Sequence, residues 1–397
     1  MNKLSSDPVM KMFAAPGITL TAISTSGVRV KTQEYGELVD LQSGDWAAVL
    51  GHGRKEIVEI INNNLGQLLH THQFFDTEHP GALVNELITA AELKSSYKGT
   101  FLSSGSEAVS LAVALADLIS KKNKKLCFSI SYLGASSGLR LPRNPDTWLD
   151  LDIKECLSCN KNISCIECKK FSDINFSEIS AFVFEPGNSG GLVLCPPEKL
   201  ISYLVRETKK AGGFIVVNEV TTGFGRTGKW FGFQHYGTFN TEDNSPDFIA
   251  IGKGLGNGYP ISGVLAKTPL AETIENSGYR YVQSHSNDPL GCMIARKVVE
   301  IIRKEGLVEK GNEVGAYLRS NLARINGITE IRGRGMMNIA ILDNHHKAKE
   351  VFISLIKRGF FVGYSEFYNS LQFYGPLITT KQDTDMLCEV LEDILQK

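Results

Sequence analysis

Phe214-Ile215-Val216-Val217-Asn218-Glu219 opens the stretch that decides the fold. A glycine-rich passage follows it, Gly223-Phe224-Gly225-Arg226-Thr227-Gly228. After a polar loop a second apolar run, Phe248-Ile249-Ala250-Ile251, delivers Gly252-Lys253-Gly254. Apolar runs of this length, bounded by glycine and polar residues, read as buried strands of a parallel sheet. Open α/β sheets place their chemistry just beyond the carboxyl ends of such strands. The reading therefore hangs Asn218 and Lys253 from neighbouring strands over one crevice. A lysine between two glycines is either a solvated surface charge or an amine desolvated among small residues. In the second case its pKa is lowered and it is available to form a Schiff base.

Read together, the runs NEVTTGFGRTGKWFGFQHYG and PDFIAIGKGLGNGYPISGVLA resemble the class III aminotransferases, of the acetylornithine and ω-amino acid kind. These are pyridoxal 5'-phosphate enzymes of fold type I, and the similarity covers nearly the whole chain. It implies an α/β fold with a mostly parallel central sheet flanked by helices, and a smaller α+β C-terminal domain. It divides the chain into an N-terminal segment, 1–45, that packs with the small domain, a large cofactor-binding domain, 46–288, and the small domain, 289–397. By the same resemblance Lys253 is the Schiff-base lysine.

Composition narrows the partners. The 397 residues carry 42 Lys+Arg against 43 Asp+Glu, which argues against nucleic acid or an anionic membrane as the main partner. No apolar run approaches the ~18 residues of a spanning helix, and Met1 to Phe13 lacks the apolar block of a secretion signal. A cytoplasmic location is expected, where the 8 cysteines stay reduced unless they hold metal.

Ser103-Ser104-Gly105-Ser106-Glu107-Ala108 precedes a small-residue helix expected from Val109 to Ile119. Such a stretch presents free backbone N–H groups to a phosphate, although Ser106 followed by Glu107 would also cap any helix. Matched to the family's motif, Gly105 and Ser106 become ligands of the cofactor phosphate. The resemblance also implies that Tyr132 stacks on the pyridine ring, with Val220 on its other face. It implies that Glu185 lies on the substrate side, Asn218 faces the ring nitrogen, and Thr221 stands near the ring hydroxyl. Ser284 matches a threonine that reaches the phosphate of the partner subunit, so a homodimer with shared active sites is implied.

Other segments are read from the residues. Ile57, Ile60, Ile61, Leu65, Leu68 and Leu69 recur at helical spacing and predict one amphipathic helix. His70, His72 and His79 follow it, in a loop expected near the active site. Trp46 either lines the substrate pocket or packs, and His52 reads as structural. The region from about Pro142 to Ile174 loses apolar periodicity and contains Cys156-x-x-Cys159 and Cys165-x-x-Cys168. Four cysteines so spaced predict a tetrahedral structural zinc site, with an iron–sulfur cluster, disulfides or idle thiols as the other readings. Gly223-x-Gly-x-x-Gly228 copies a dinucleotide fingerprint, but the aromatic, glycine-broken run after it is no helix.

Two departures from the family's pattern bear on the reaction. Asn218 stands where the family has an aspartate, and a neutral amide cannot pair with a protonated pyridine nitrogen. Gln372 stands where an arginine commonly grips an α-carboxylate, and it makes no bidentate charged pair. The expected activity is transfer of an amino group from a terminal or unusual amine to an oxo acid; the amino substrate either lacks an α-carboxylate at this place or uses another arginine, with Arg54 as a candidate. The alternatives are another pyridoxal phosphate reaction (racemisation, elimination or decarboxylation) and a cofactor-binding regulatory protein without turnover.

Overall fold

The computed structural model describes residues 10, 12, 17–159, 165–168 and 170–396. Three N-terminal strands, β1 (Ala22–Ser26), β2 (Arg29–Thr32) and β3 (Gly36–Asp40), pair antiparallel in sequence order. The central sheet is built from β4 (Tyr97–Leu102), β5 (Lys124–Phe128), β6 (Trp148–Leu151), β7 (Ile179–Phe184), β8 (Phe214–Asn218), β9 (Phe248–Ile251) and β10 (Ser262–Lys267). Their spatial order is β4-β10-β9-β8-β7-β5-β6. Neighbours from β9 through β6 run parallel; β10 runs antiparallel to both β4 and β9.

Side chains alternate across a strand, and here both faces of the sheet are core. Phe182, Phe184, Ile215, Val217, Ile249 and Ile251 enter one cluster, while Ala181, Val183, Val216, Phe248 and Ala250 enter another. Helices His79–Ala90, Glu198–Lys210 and Pro289–Lys304 cover the first face. Gly105–Ser120 and Thr268–Asn276 cover the second, with Ala108, Ala112 and Ala116 packed into that cluster.

The C-terminal part carries β11 (Ile328–Arg334), β12 (Met337–Leu342), β13 (Phe360–Phe361), β14 (Gly363–Ser365) and β15 (Ser370–Phe373). Four of these form a sheet in the order β11-β12-β15-β14, while β13 pairs parallel with β3. Leu38, Val39 and Leu41 share a cluster with Leu355, Ile356, Phe360 and Leu391, so the segment around β3 packs with the C-terminal part. Among the described residues, no helix is long and apolar enough to cross a membrane.

Three local expectations are corrected. The helix expected from Val109 starts at Gly105, because Ser104, and not Ser106, is its cap: the Ser104 hydroxyl and N–H both meet Glu107 in a capping box. The helix expected to reach Leu69 is Lys55–Asn64, and Leu65 and Leu69 beyond it are exposed. The region expected to be irregular contributes β6, a short edge strand that buries Trp148 and Leu151.

Candidate active site

β8 and β9 end side by side, with Asn218 opposite Ala250, and the chain leaving β9 presents Lys253. Lys253 sits at φ +42°, in the left-handed region. The glycine after it leaves no room for a side chain: a Cβ on Gly254 would stand 2.9 Å from Val49 and 3.1 Å from Phe224. The crevice is a cavity of about 360 Å³. It is lined by Lys253, Asn218, Val220, Thr221, Gly105 and Ser106, and by Asp45, Trp46, Tyr132, Leu133, Gly134, Ser189 and Gly190. A larger cleft of about 790 Å³, between Ala90–Lys94 and Val308–Glu313, holds none of these groups, so size alone does not pick the site.

Burial lowers the Lys253 pKa from its usual value to about 8; the nearby Asp45 carboxylate raises it, Arg226 lowers it and Glu185 raises it. Its Nζ lies 3.9 Å from the centroid of the Trp46 ring. Glu185, fully buried at the end of β7, accepts hydrogen bonds from the Tyr132 N–H at 2.9 Å and the Ser189 hydroxyl at 2.7 Å. Desolvation still pushes its pKa up to about 7.

The orientation of Asn218 follows from its neighbours. The Val220 N–H can only donate, so the atom 3.1 Å from it is Oδ1. The Tyr132 carbonyl can only accept, so the atom 3.2 Å from it is Nδ2. The second Nδ2 proton is left to donate.

The anion end of the cavity is the start of helix Gly105–Ser120. The first N–H groups of a helix have no intrahelical partner, and Ser104 with Glu107 closes the cap behind them. Ser106 Oγ accepts from the Ala135 N–H at 2.9 Å, which leaves its own O–H free to donate. A Cβ on Gly105 would lie 2.5 Å from Val220, and one on Gly134 would lie 3.0 Å from Ser106 Oγ. A cradle of N–H and O–H donors, kept open by glycine, with a buried amine and an amide donor around it, fits pyridoxal phosphate.

Two side chains whose roles were not legible hold the site together. Arg226, buried with no ion pair among the described residues, donates to the Tyr374 carbonyl at 2.9 Å, Ser43 Oγ at 2.9 Å and the Trp46 carbonyl at 3.2 Å. It also donates to the Gly375 carbonyl, so it pins the N-terminal loop and the C-terminal run to the central stretch. Glu219 accepts from the Gly232 and Phe233 N–H groups at 2.8 and 2.7 Å, which shapes the glycine-rich loop. His52 meets Asp40 at 2.7 Å, and Asp40 accepts from Gln42 and Gly44, so His52 braces the loop that carries Trp46.

Several expected residues lie elsewhere. Arg54 is not in the cavity: it is committed to Glu56, at 2.8 and 2.9 Å, and to Glu305. Gln372, on β15, is nearly buried, and its carbonyl accepts from Gln42. Ser284 is exposed and outside the cavity of its own chain. His70 meets His285 and Asp288 instead of the cavity, and Asp288 takes one imidazole on each oxygen. Those three make the single cluster of potential metal ligands within 4.8 Å among the described residues. The four cysteines of the insert are free thiols, and no three of their sulfurs approach to that distance.

Fold and site together define a pyridoxal phosphate enzyme of fold type I. The profile of the class-III aminotransferases matches residues 14–139 and 135–395, and the chain belongs to that family of pyridoxal phosphate-dependent transferases. The acetylornithine aminotransferase of Methanopyrus kandleri is 28% identical, over 83% of this chain and 82% of that protein. A leucine/methionine racemase of Thermococcus litoralis is 24% identical, over 94% of this chain and 90% of that protein. Among solved structures, a Bacillus anthracis aminotransferase superposes with a TM-score of 0.86 at 23% identity, covering 98% of this chain and 96% of the other.

Proposed function

We propose that this enzyme moves an amino group from a terminal or unusual amine to an oxo acid, with Lys253 holding the cofactor. The charge around the cavity carries the reading. Lys253 is the single basic residue among its described lining, and no arginine stands there for an α-carboxylate. When bound, pyridoxal phosphate takes up the electron pair left at the substrate carbon. Lys253 removes and returns the proton at that carbon. With a pKa near 8 instead of 10.5, a far larger share of it is neutral at physiological pH. Gly105 and Ser106 would hold the phosphate, Tyr132 and Val220 would flank the ring, Thr221 would stand by the ring hydroxyl, and Glu185 would face the substrate side.

A half-reaction screen tests this: loaded enzyme is mixed with single amines while the visible absorbance of the cofactor is followed. Terminal amines are expected to convert it faster than L-alanine or L-glutamate. A clear preference for those α-amino acids would reject the proposal.

Asn218 favours a second reading. Its remaining amide proton would meet the ring nitrogen as a donor, which would leave that nitrogen unprotonated, weaken the electron sink and suit reactions such as racemisation. The likeness to a leucine/methionine racemase points the same way. Solvent deuterium entering a recovered amino acid with inverted configuration, in the absence of an oxo acid, would favour it.

The partner and the insert complete the reading. Leu65, Leu69, Phe74, Phe75 and Val282 are exposed apolar side chains. The Gln73 side chain donates to the Gln283 carbonyl at 2.7 Å, so the two segments adjoin. A second copy covering this surface would bring Ser284 to the neighbouring site. In the insert, each Cys-x-x-Cys pair closes a turn in which the second N–H bonds the first carbonyl at 3.2 Å. Burial raises the Cys156 and Cys165 thiols, while Lys170 beside the first, and Lys199 and Arg206 beside the second, act the other way. These turns support a zinc ion held by Cys156, Cys159, Cys165 and Cys168 as thiolates, its net negative charge offset by the cations. Elemental analysis of the purified full chain should find about one zinc per chain, lost in a C156S/C159S variant. A metal-free native protein ends this part of the proposal.

A further inference from the structure

We infer that Asp45 and Trp46 form a receptor for a second ammonium group, so that diamines are the preferred substrates; this rests on the aminotransferase reading above. The two residues sit on the loop Ser43–Trp46, whose backbone is unusual. Ser43, Gly44 and Trp46 have φ of +46°, +67° and +63°. Side chains other than glycine hold such angles only where the surroundings over-determine them. Trp46 is fixed three times over. Its indole N–H donates to Gln42 at 2.8 Å, its ring packs on Tyr374 at 5.0 Å between centroids, and its carbonyl accepts from Arg226 at 3.2 Å. Strain so firmly supported, beside the reactive lysine, indicates that the placement of this ring matters.

The aromatic face already holds a cation. Lys253 Nζ stands 3.9 Å from the ring centroid, the geometry of a cation–π contact, and the Asp45 carboxylate is close enough to favour its charged form. In the loaded enzyme the lysine nitrogen serves the cofactor, and the face and the carboxylate are open to a cation brought by the substrate. Among the described lining residues no arginine or histidine balances Asp45. A carboxylate entering here meets a like charge and no partner. An ammonium meets an acid and a π-face.

Steady-state rates with three substrates of equal chain length test the inference: an α,ω-diamine, the matching monoamine and the matching ω-amino acid. Because Asp45 is exposed, its attraction is that of a partly solvated ion pair. The kcat/KM of the diamine is then expected to exceed that of the monoamine by about fivefold, through KM. Asp45→Asn should erase the gap; Trp46→Phe should keep most of it, and Trp46→Ala should not. Binding gives a separate readout. Lys253→Ala protein, which cannot turn over, should bind the diamine about fivefold more tightly than the monoamine by calorimetry. Equal constants for the two amines, or a diamine advantage that survives Asp45→Asn, overturns the receptor while leaving the aminotransferase reading intact. If no amine reacts with the native enzyme, both fall together.

Discussion

Lys253 pays for its position in desolvation, and the sign of that effect can be followed with pH. Its pKa falls from 10.5 unfolded to about 8 folded. Between those values the unfolded chain binds the extra proton, so this group's contribution to stability rises with pH across that window. Below pH 8 the full penalty applies, up to about 3 kcal/mol for a shift of this size. Cofactor-free Lys253→Met protein is therefore expected to melt above the native protein at pH 7, and the advantage should shrink toward pH 10. A melting difference that does not change with pH would contradict the burial argument. Asn218 supports a second expectation. Asn218→Asp keeps the acceptor for Val220 but turns the donor facing the Tyr132 carbonyl into an oxygen. Loss of that buried bond should cost the cofactor-free protein about 1–3 kcal/mol in denaturant unfolding. In the loaded variant, nitrogen NMR of labelled cofactor should report a protonated ring nitrogen; an unchanged shift would show that Asn218 does not set its charge.

At the scale of elements, Arg226 joins three segments that are far apart in sequence. Arg226→Met would leave the Gly375 and Trp46 carbonyls without this donor, and the Tyr374 carbonyl with the Ser43 hydroxyl alone. The expected loss is at least about 3 kcal/mol, with increased proteolysis of the loop around Ser43–Trp46. A stable, protease-resistant variant would mean that packing alone holds the loop. Much of this level was legible in the chain. β8 and β9 stood out because uninterrupted apolar runs were bounded by glycine and polar residues, whereas Lys253 read equally as a surface charge until the resemblance to the class III aminotransferases singled it out. Arg226 did not stand out, because a buried arginine paired with carbonyls carries no partner motif and looks like any surface charge. The start of helix Gly105–Ser120 was missed because its cap lies two residues before the obvious serine. Leu69 kept helical spacing beyond the end of the helix, which closes at Leu65, since an exposed apolar side chain can answer to another surface as well as to its own core.

For the whole molecule, the exposed group Leu65, Leu69, Phe74, Phe75 and Val282 sets the expectation. Native protein should run at twice the chain mass by light scattering. Phe74→Ser with Phe75→Ser should shift it toward the monomer and lower activity together with mass. Full activity in a monomeric variant would refute a site shared between copies. Contacts such as His70 with His285 and Asp288 were beyond sequence reading, because nothing in the local spacing links residues that meet only through the fold. The pairing of β3 with β13 has a consequence of another kind. Val39 finds its strand partner at Phe360, near the far end of the chain. During synthesis on the ribosome, β3 emerges and must wait, one edge unsatisfied, until the chain has been translated past Phe360. That interval is when a nascent chain of this design most needs a chaperone.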